Sequence, residues 1–242
     1  MQRYFINSTQ VHNNIITIIN SDVHHIKNVM RMKIDDEIIV CDELENVYLG
    51  KIITISNEEV KVEIVKNIDA KSELPINVTI AHGLVRREKT EEVIRRLAEL
   101  GCYEYQPIIM NRSIVKVVND KSERQNKIIK EACEQSQRNR LMILSPVIDL
   151  KKLIARKDEF SLCLYADFNP NVAHLKPLLQ KFTGKNILVV IGPEGGFSIE
   201  EVTALDKAGF IPITLGKRVL RTETAPLYVM SVIGYEFEKF SL

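Results

Sequence analysis

The chain has 242 residues, a hydrophobic fraction of 45%, a charged fraction of 27% and a formal net charge of +1. These values are typical of an ordinary soluble globular protein, and the length is sufficient for two domains. The longest apolar stretches, such as ILVVI at 187–191, are too short to span a bilayer, and the N-terminus lacks the pattern of a signal peptide. We therefore expect a cytoplasmic protein that does not act in a membrane.

The spacing of cysteine and histidine indicates neither a metal site nor a redox centre. The four cysteines are widely scattered and form no CxxC pair, and the five histidines include no HExxH motif. We therefore expect reduced thiols and no bound metal.

The N-terminal part of the chain is predicted to consist mainly of short strands. Its β-branched, partly alternating segments lie at 13–19, 37–42, 47–55 and 58–65. Only residues 21–32 have a helical pattern. Short strands at this spacing favour a small β-barrel. The polar stretch 66–75 is typical of a linker, and we place the first domain at residues 1–70.

From about residue 76 onward, apolar runs alternate with helical segments. This alternation predicts an α/β domain with a mostly parallel sheet over residues 76–242. Thr90, which two glutamates follow, is the expected start of the first helix of this domain, and Gly101 is its expected end. Ser198 and Glu201 have the spacing of a capping box at the start of a later helix.

The stretch IGPEGGFS at 191–198 joins a predicted strand to this capped helix. Its glycine spacing fits neither the P-loop nor the dinucleotide fingerprint, and the carboxylate of Glu194 would repel a phosphate. The loop suits a ligand that is neutral or partly cationic. The alternative is a tight turn that carries a surface glutamate.

A second polar loop, LGKRVLRTETA at 215–225, follows the last predicted strand. Thr224 is the expected cap of the terminal helix, and Pro226 lies in its first turn, where proline is tolerated. Ligands of open α/β sheets bind beyond the carboxyl ends of the strands. We therefore expect the two loops to form one pocket.

The paired motifs IGPEGGFSIEE and LGKRVLRTETA resemble those of the SPOUT methyltransferases, and within them those of the 16S rRNA uridine-N3 methyltransferase family. Similar stretches occur along nearly the whole chain: RYF at 3–5, HHIKNVMRMK at 24–33, EEVIRRLAELG at 91–101, NRSIVK at 111–116 and EACEQSQR at 131–138. In one departure from the family pattern, Gln137 replaces a frequent glycine.

The resemblance implies a PUA-like β-barrel followed by an α/β SPOUT domain with a trefoil knot. It also implies a homodimer that uses S-adenosylmethionine to methylate N3 of a specific uridine, U1498, in the decoding region of 16S rRNA. The implied donor-binding residues are Ile191, Gly192, Glu194, Gly195, Gly196, Leu215, Gly216, Val219, Leu220, Arg221, Thr222, Glu223 and Ala225.

Arg221 is the candidate catalytic residue. An arginine beside O2 or O4 of uridine would stabilise the ring as N3 loses its proton. The alternative role of Arg221 is a structural salt bridge to Glu223 or Glu194. Glu194 itself could favour the cationic donor or hold a ribose hydroxyl.

Basic residues are candidates for contacts with rRNA phosphates. Residues 110–140 contain eight basic and four acidic side chains, and residues 24–33 contain no acidic one. The candidates are Arg3, Lys27, Arg31, Lys33, Arg112, Lys116, Arg138 and Arg140.

Two other functions remain open from the sequence. One is methylation of a ribose 2′-oxygen, which occurs within the same superfamily. The other is a non-catalytic ribosome-assembly factor that binds RNA through its barrel.

Overall fold

A computed structural model describes residues 1–69, 72–115, 122–169 and 172–238. Contacts divide the chain into two units. The first unit contains Met1–Glu73 and also Cys133–Leu141, and the second contains Leu74–Ala132 and Met142–Leu242. Residues 133–141 therefore belong to the N-terminal unit, although the sequence pattern did not indicate this.

The described strands of the first unit are β1 (Arg3–Ile6), β2 (Val11–His12), β3 (Ile15–Ile19), β4 (Glu37–Asp42), β5 (Val47–Ile55) and β6 (Glu59–Asn67). They form a mixed sheet in the order β1-β4-β5-β6-β3-β2. Strands β1 and β4 pair in parallel, and the other pairings are antiparallel. The helical pieces are a 3-10 turn at Ser8–Gln10, α1 at Ser21–His24 and a π-helical turn at His25–Val29.

Alternation of apolar and polar residues explains why these segments form one-sided strands. In β3, Ile16 and Ile18 are fully buried, and in the neighbouring β6, Val60 and Val62 are fully buried. Because side chains alternate between the two faces of a strand, these residues all enter one hydrophobic cluster. The four strands predicted in this part of the chain are confirmed, whereas β1 and the short β2 were missed.

The helix predicted over 21–32 is shorter in the structure and changes its winding. Regular α-helix covers only Ser21–His24, and a π-helical turn continues to Val29. Val23 and Ile26 supply the buried side chains of this segment, and Arg31 then takes a left-handed backbone conformation with φ 52°. A left-handed residue cannot continue a right-handed helix, so the helix ends before it.

The second unit is an α/β structure, as predicted. Its described strands are β7 (Asn77–Gly83), β8 (Glu104–Ile109), β9 (Ile143–Leu144), β10 (Ile148–Asp149), β11 (Leu162–Ala166), β12 (Ala173–His174), β13 (Asn186–Ile191) and β14 (Ile211–Thr214). They follow the order β10-β8-β7-β13-β11-β14-β12, with β9 paired to β8, and each described pairing is parallel. The helices are α2 (Arg87–Glu99), α3 (Ser122–Gln135), α4 (Leu150–Ala155), α5 (Leu175–Gln180), α6 (Ile199–Lys207) and α7 (Ala225–Phe237), with a 3-10 turn at Lys157–Glu159.

Strand β13 lies in the middle of this sheet, between β7 and β11. Its continuous apolar run is buried from Ile187 to Ile191. A parallel strand covered on both faces has this unbroken pattern rather than an alternating one. On one face, Leu153 of α4 and Leu205 of α6 join the cluster that includes Leu188 and Val190.

The two predicted helix starts have different outcomes. At α6, Ser198 and Glu201 form the predicted capping box, and each side chain accepts a bond from the other residue's backbone N–H. At α2 the prediction was wrong, because the helix begins at Arg87, one turn before the expected cap. The hydroxyl of Thr90 is directed at the backbone carbonyl of Arg86, a bond that lets threonine stay inside a helix.

Helix α3 ends in a Schellman motif. The N–H of Gln137 bonds to the carbonyl of Glu134, and the N–H of Arg138 bonds to the carbonyl of Cys133. Gln137 occupies the left-handed position of this motif with φ 60°, where glycine is the usual residue. A left-handed position of this kind favours glycine over glutamine, because glycine has no Cβ.

Candidate active site

A pocket of about 380 Å³ lies beyond the carboxyl ends of the central parallel strands. Residues from three segments line it: 166–168 at the end of β11, 191–197 at the end of β13, and 215–225 after β14. We call the second of these the glycine loop and the third the C-terminal loop. Lys89, from the first turn of α2, closes one side.

The glycine loop approaches the end of β7 very closely. A side chain on Gly83 would place its Cβ 2.6 Å from both the nitrogen and the Cδ of Pro193, which is closer than real Cβ contacts come. Within the loop, Gly196 has φ 68°, a conformation that glycine adopts without strain. The loop then enters α6 through the capping box, so both of its ends are fixed.

The C-terminal loop leads from β14 into α7. Thr224 occupies the N-cap position of α7 as predicted, although its side chain makes no capping bond, and Pro226 lies in the first turn. The loop is tied to the glycine loop by the hydroxyl of Thr222, which donates a 2.7 Å hydrogen bond to the carbonyl of Gly192.

Lys89 joins the two loops by charge. Its ammonium lies 3.3 Å from Oε1 of Glu194 and 3.1 Å from Oε2 of Glu223. A lysine near a helix N-terminus opposes the helix dipole, so this position costs helix stability that the two carboxylates offset. Burial acts to raise the pKa of Glu223, but hydrogen bonds from its own backbone and from Lys89 outweigh burial and hold that pKa below its usual value.

Arg221 extends away from this ion-pair group. Its side chain is 84% exposed, and its nearest approach to the Glu223 carboxylate is 4.0 Å. The carboxylates of Glu194 and Glu223 bond instead to Lys89. The guanidinium of Arg221 is therefore accessible to a substrate at the pocket.

A buried histidine lies beneath the two loops. His82 of β7 is fully buried, its Nδ1 is 3.0 Å from the hydroxyl of Tyr105, and its Nε2 is 2.9 Å from the hydroxyl of Thr222. Burial lowers the pKa of His82 to about 4, against the opposing influence of a bond with Thr222 and of the charges on Glu194 and Glu223.

The structure brings the residues of the two predicted motifs together around this pocket. Gly195 lies next to it, where a Cβ would meet Arg112 at 2.9 Å. The predicted donor-binding residues that line the pocket are Ile191, Gly192, Glu194, Gly196, Leu215, Gly216, Val219, Leu220, Arg221, Thr222, Glu223 and Ala225.

The sequence reasoning missed several residues of the site. Asp167 and Phe168 follow a strand whose end carries no glycine, so no motif pointed to them. Lys89 had one available signal: it stands in the run RREK, where cations gather at a helix start. No sequence motif includes His82, and only the fold reveals its contacts.

Two of the predicted RNA contacts are corrected by the structure, because their side chains lie in the interior of the first unit. The guanidinium of Arg3 donates to the carbonyl of Arg138 and to Oδ1 of Asn139, at 2.8 and 2.7 Å. Arg138 is also buried and forms a 2.7 Å ion pair with Glu73. Buried, bonded guanidinium groups cannot reach a phosphate, so these two arginines have structural roles.

The remaining basic candidates have different surroundings. Lys27, Arg31 and Lys33 are exposed on the first unit, and Arg112 is exposed on the second, where it bonds to the carbonyl of Gly195. Arg140 is largely covered and pairs with Glu45 and Glu73. Lys116 lies outside the described residues.

Within the described residues, no group of three or more His, Cys, Asp or Glu side chains converges to hold a metal ion. Among the described helices, none combines the length and the apolar character that crossing a membrane requires.

Family comparisons define the class of protein. The family model of an RNA methyltransferase domain matches residues 72–234, and that of an RNA methyltransferase PUA domain matches residues 18–65. Together with a pocket at the carboxyl ends of a parallel sheet, these matches define an RNA methyltransferase with an N-terminal PUA-like domain.

A relative from Bacillus subtilis (strain 168), ribosomal RNA small subunit methyltransferase E, is 36% identical over 98% of this chain and 98% of its own length. The chain belongs to the family of ribosomal RNA small subunit methyltransferases E, which confirms the predicted family.

Solved structures agree with this assignment. A ribosomal RNA small subunit methyltransferase E from Neisseria gonorrhoeae, solved with bound S-adenosylmethionine, superposes with a TM-score of 0.89 at 26% identity and covers 98% of both chains. A Legionella pneumophila protein, solved with the same cofactor, has a TM-score of 0.84 at 26% identity and covers 96% of both chains.

Proposed function

We propose that the protein methylates N3 of one uridine, U1498 of the decoding region, in 16S rRNA of the small ribosomal subunit, with S-adenosylmethionine as the methyl donor. The observation that carries this proposal is the pocket between the glycine loop and the C-terminal loop in a chain of this family. The two loops contain the motifs IGPEGG and RTETA intact.

The pocket suits S-adenosylmethionine in size. Its volume of about 380 Å³ is in the range of small-molecule sites. Its lining contains charged groups of both signs, so both the cationic and the anionic groups of this donor can find partners of opposite charge. The acidic residues are Asp167, Glu194 and Glu223, and the basic ones are Lys89, Lys217, Arg218 and Arg221. When bound, S-adenosylmethionine supplies an electrophilic methyl group on a positively charged sulfur.

The glycine loop and the C-terminal loop have different parts in holding this donor. Gly192 and Gly196 allow the ligand to approach the backbone closely. Leu215, Gly216 and Leu220 provide apolar and backbone contacts for the adenine. Glu194 and Asp167 are placed to attract the sulfonium or to accept bonds from ribose hydroxyls.

The reaction at N3 requires loss of the N3 proton, because the lone pair of N3 is not available in neutral uridine. Each unit by which the pKa of N3 exceeds the working pH adds about 1.4 kcal/mol to the free energy of removing this proton. A guanidinium beside O2 or O4 stabilises the negative charge that develops on the ring. Arg221 has the exposure for this contact, since Lys89 occupies the neighbouring carboxylates. Because N3 lies on the pairing edge, the target base must be unpaired or flipped out.

The role of Arg221 has a direct test. We expect Arg221→Ala to bind S-adenosylmethionine in calorimetry like the wild type and to lose most methyl transfer to small subunits. Arg95→Ala, an exposed arginine on α2 outside the pocket lining, is the matched control for the loss of one surface charge. Full activity of Arg221→Ala would remove Arg221 from the mechanism.

We propose that exposed cations on each unit bind RNA phosphates. Lys27, Arg31 and Lys33 form a basic surface on the first unit, and Arg112 is exposed on the second unit. These side chains are exposed, and phosphate contacts by such residues release counterions. Affinity for small subunits should therefore fall steeply with salt, and each removed contact should lower the slope of log K against log salt by about one. An unchanged slope in Lys27→Ala and Arg31→Ala would contradict this surface.

We further propose a homodimer that uses the outer face of α7. Val229, Met230 and Ile233 of this helix are buried within the chain, whereas Tyr228 and Tyr235 are exposed, Tyr235 by 86%. Exposed tyrosines on one helix face are typical of an interface. Tyr235→Glu should sediment as a monomer at micromolar concentration and the wild type as a dimer. A monomeric wild type would contradict the proposal.

The trefoil knot and the cytoplasmic location are further parts of this proposal. Both are supported by membership of the family. Fractionation of cells should recover the protein with small ribosomal subunits in the cytoplasm, and recovery in the membrane fraction would contradict the location.

A further inference from the structure

We propose that His82, which lies outside the pocket lining, is a positioning residue that locks the two donor-binding loops together through Thr222. This inference rests on the proposed function, because it assigns to His82 a role in forming the S-adenosylmethionine pocket.

The hydrogen-bond partners fix the direction of each bond. The hydroxyl of Thr222 lies 2.7 Å from the carbonyl oxygen of Gly192, and a carbonyl can only accept. The hydroxyl of Thr222 therefore donates its single proton to the carbonyl oxygen of Gly192. It follows that Nε2 of His82, 2.9 Å from the same hydroxyl, must donate its N–H to Thr222.

The other ring nitrogen completes the assignment. A neutral imidazole carries one N–H and one acceptor nitrogen, so Nδ1 of His82 accepts. Its partner at 3.0 Å is the hydroxyl of Tyr105, which therefore donates. The chain of donors runs from Tyr105 to His82, from His82 to Thr222, and from Thr222 to Gly192.

Burial makes these bonds hard to replace. His82 is fully buried, Tyr105 is 1% exposed and Thr222 is 8% exposed. Water therefore cannot easily satisfy a group that loses its partner, and the loss carries the desolvation cost of that group. Burial also lowers the pKa of His82 to about 4, which keeps the ring neutral and Nδ1 an acceptor near neutral pH.

The position of His82 in the sheet gives the lock a rigid base. His82 lies in β7 and pairs with Ile191, the last residue of β13 and the neighbour of Gly192. Gly192 belongs to the glycine loop, and Thr222 belongs to the C-terminal loop. Bonds from one buried strand residue thus hold both walls of the pocket in place before a ligand arrives, which reduces the ordering cost of binding.

Variants of Thr222 test the lock without removing the histidine. Thr222→Val keeps nearly the same shape but lacks the hydroxyl, and we expect its dissociation constant for S-adenosylmethionine in calorimetry to rise about tenfold. Thr222→Ser, which restores a hydroxyl, should recover most of that affinity. The increase should appear mainly in KM for the donor, with a smaller change in kcat at saturating donor.

The control is Thr79→Val. Thr79 is a buried residue of β7, the strand that contains His82, and its hydroxyl bonds to Glu104 rather than to a pocket loop. This variant should lose stability comparably while it binds the donor like the wild type. Equal affinity of Thr222→Val and the wild type, or equal weakening in Thr79→Val, would overturn the proposal.

Nitrogen-15 NMR of the imidazole gives a second measurement that does not depend on any variant. We expect a proton on Nε2 of His82 and an unprotonated Nδ1 at neutral pH. A proton on Nδ1 would contradict the directed chain. A wild type that binds no S-adenosylmethionine yet has this tautomer would instead contradict the proposed function and leave the lock intact.

Discussion

Acidification should destabilise the second unit through His82. The pKa of this residue is lowered from about 6.5 to about 4, mainly because the charged ring would be buried without water. Between these two values the unfolded chain binds a proton that the folded chain does not bind. The free energy of unfolding therefore falls as the pH falls through this window.

The size of the effect follows from the two pKa values. From about pH 7 to pH 5, the expected loss from His82 is roughly 2 kcal/mol, and it approaches 3 kcal/mol near pH 4. Glu194 and Glu223 favour the charged ring and are already included in the lowered pKa. Carboxylates with a lowered pKa, such as Glu104, lose their contribution to stability only at more acidic pH. The change in stability between about pH 7 and pH 5 therefore reports on the histidine rather than on these carboxylates.

Chemical denaturation followed by circular dichroism at several pH values in this window measures the effect. His82→Gln has no titrating ring, and its stability should change about 2 kcal/mol less than that of the wild type. His174→Gln, at an exposed position, is the control for the loss of an imidazole elsewhere in the chain. Identical pH dependence in His82→Gln and the wild type would refute a lowered pKa at His82.

Three further predictions concern stability and the pocket. Gln137→Gly removes the strain of a left-handed residue with φ 60° and should raise the free energy of unfolding by about 1 kcal/mol. A destabilised variant would contradict the proposed backbone strain at this position. Gly83→Ala would press its Cβ against Pro193 and should weaken S-adenosylmethionine binding at least tenfold while circular dichroism stays unchanged; wild-type affinity would show that the loop does not need this close approach. Lys89→Met removes a hydrogen-bond donor from Glu223 and should raise the pKa of that carboxyl in an NMR titration, whereas an unmoved pKa would exclude the ion pair.

Much of the fold could be predicted because the local signals agree with the tertiary structure. Alternation in β6 and the unbroken apolar run of β13 identify a one-sided and a buried strand, respectively. The capping box of Ser198 and Glu201 fixed the start of α6 correctly. By contrast, α2 starts a turn earlier than expected. Thr90 therefore lies inside the helix, where its hydroxyl is directed at a helix carbonyl instead of capping the helix.

The candidate site could be predicted only where its residues are close together in the sequence. The glycine loop and the C-terminal loop are both visible as motifs, and the parallel topology brings them together. His82 and Lys89 lie more than 100 positions from the loop residues that they contact, so local patterns carry no information about those contacts. Arg3 and Arg138 were predicted to contact RNA because basic side chains usually lie on the surface. Their burial could not be predicted, because the sequence does not show buried partners such as Glu73, which pairs with Arg138.

The central claim is methyl transfer to a uridine N3 of 16S rRNA. The most direct measurement incubates the protein with S-adenosylmethionine and small subunits from a strain that lacks it, then maps the methylated nucleoside by mass spectrometry. We expect 3-methyluridine at a single position, and most of it should be lost when Arg221→Ala replaces the wild type. Unmethylated rRNA, or a methyl group on a ribose 2′-oxygen, would contradict methylation of N3.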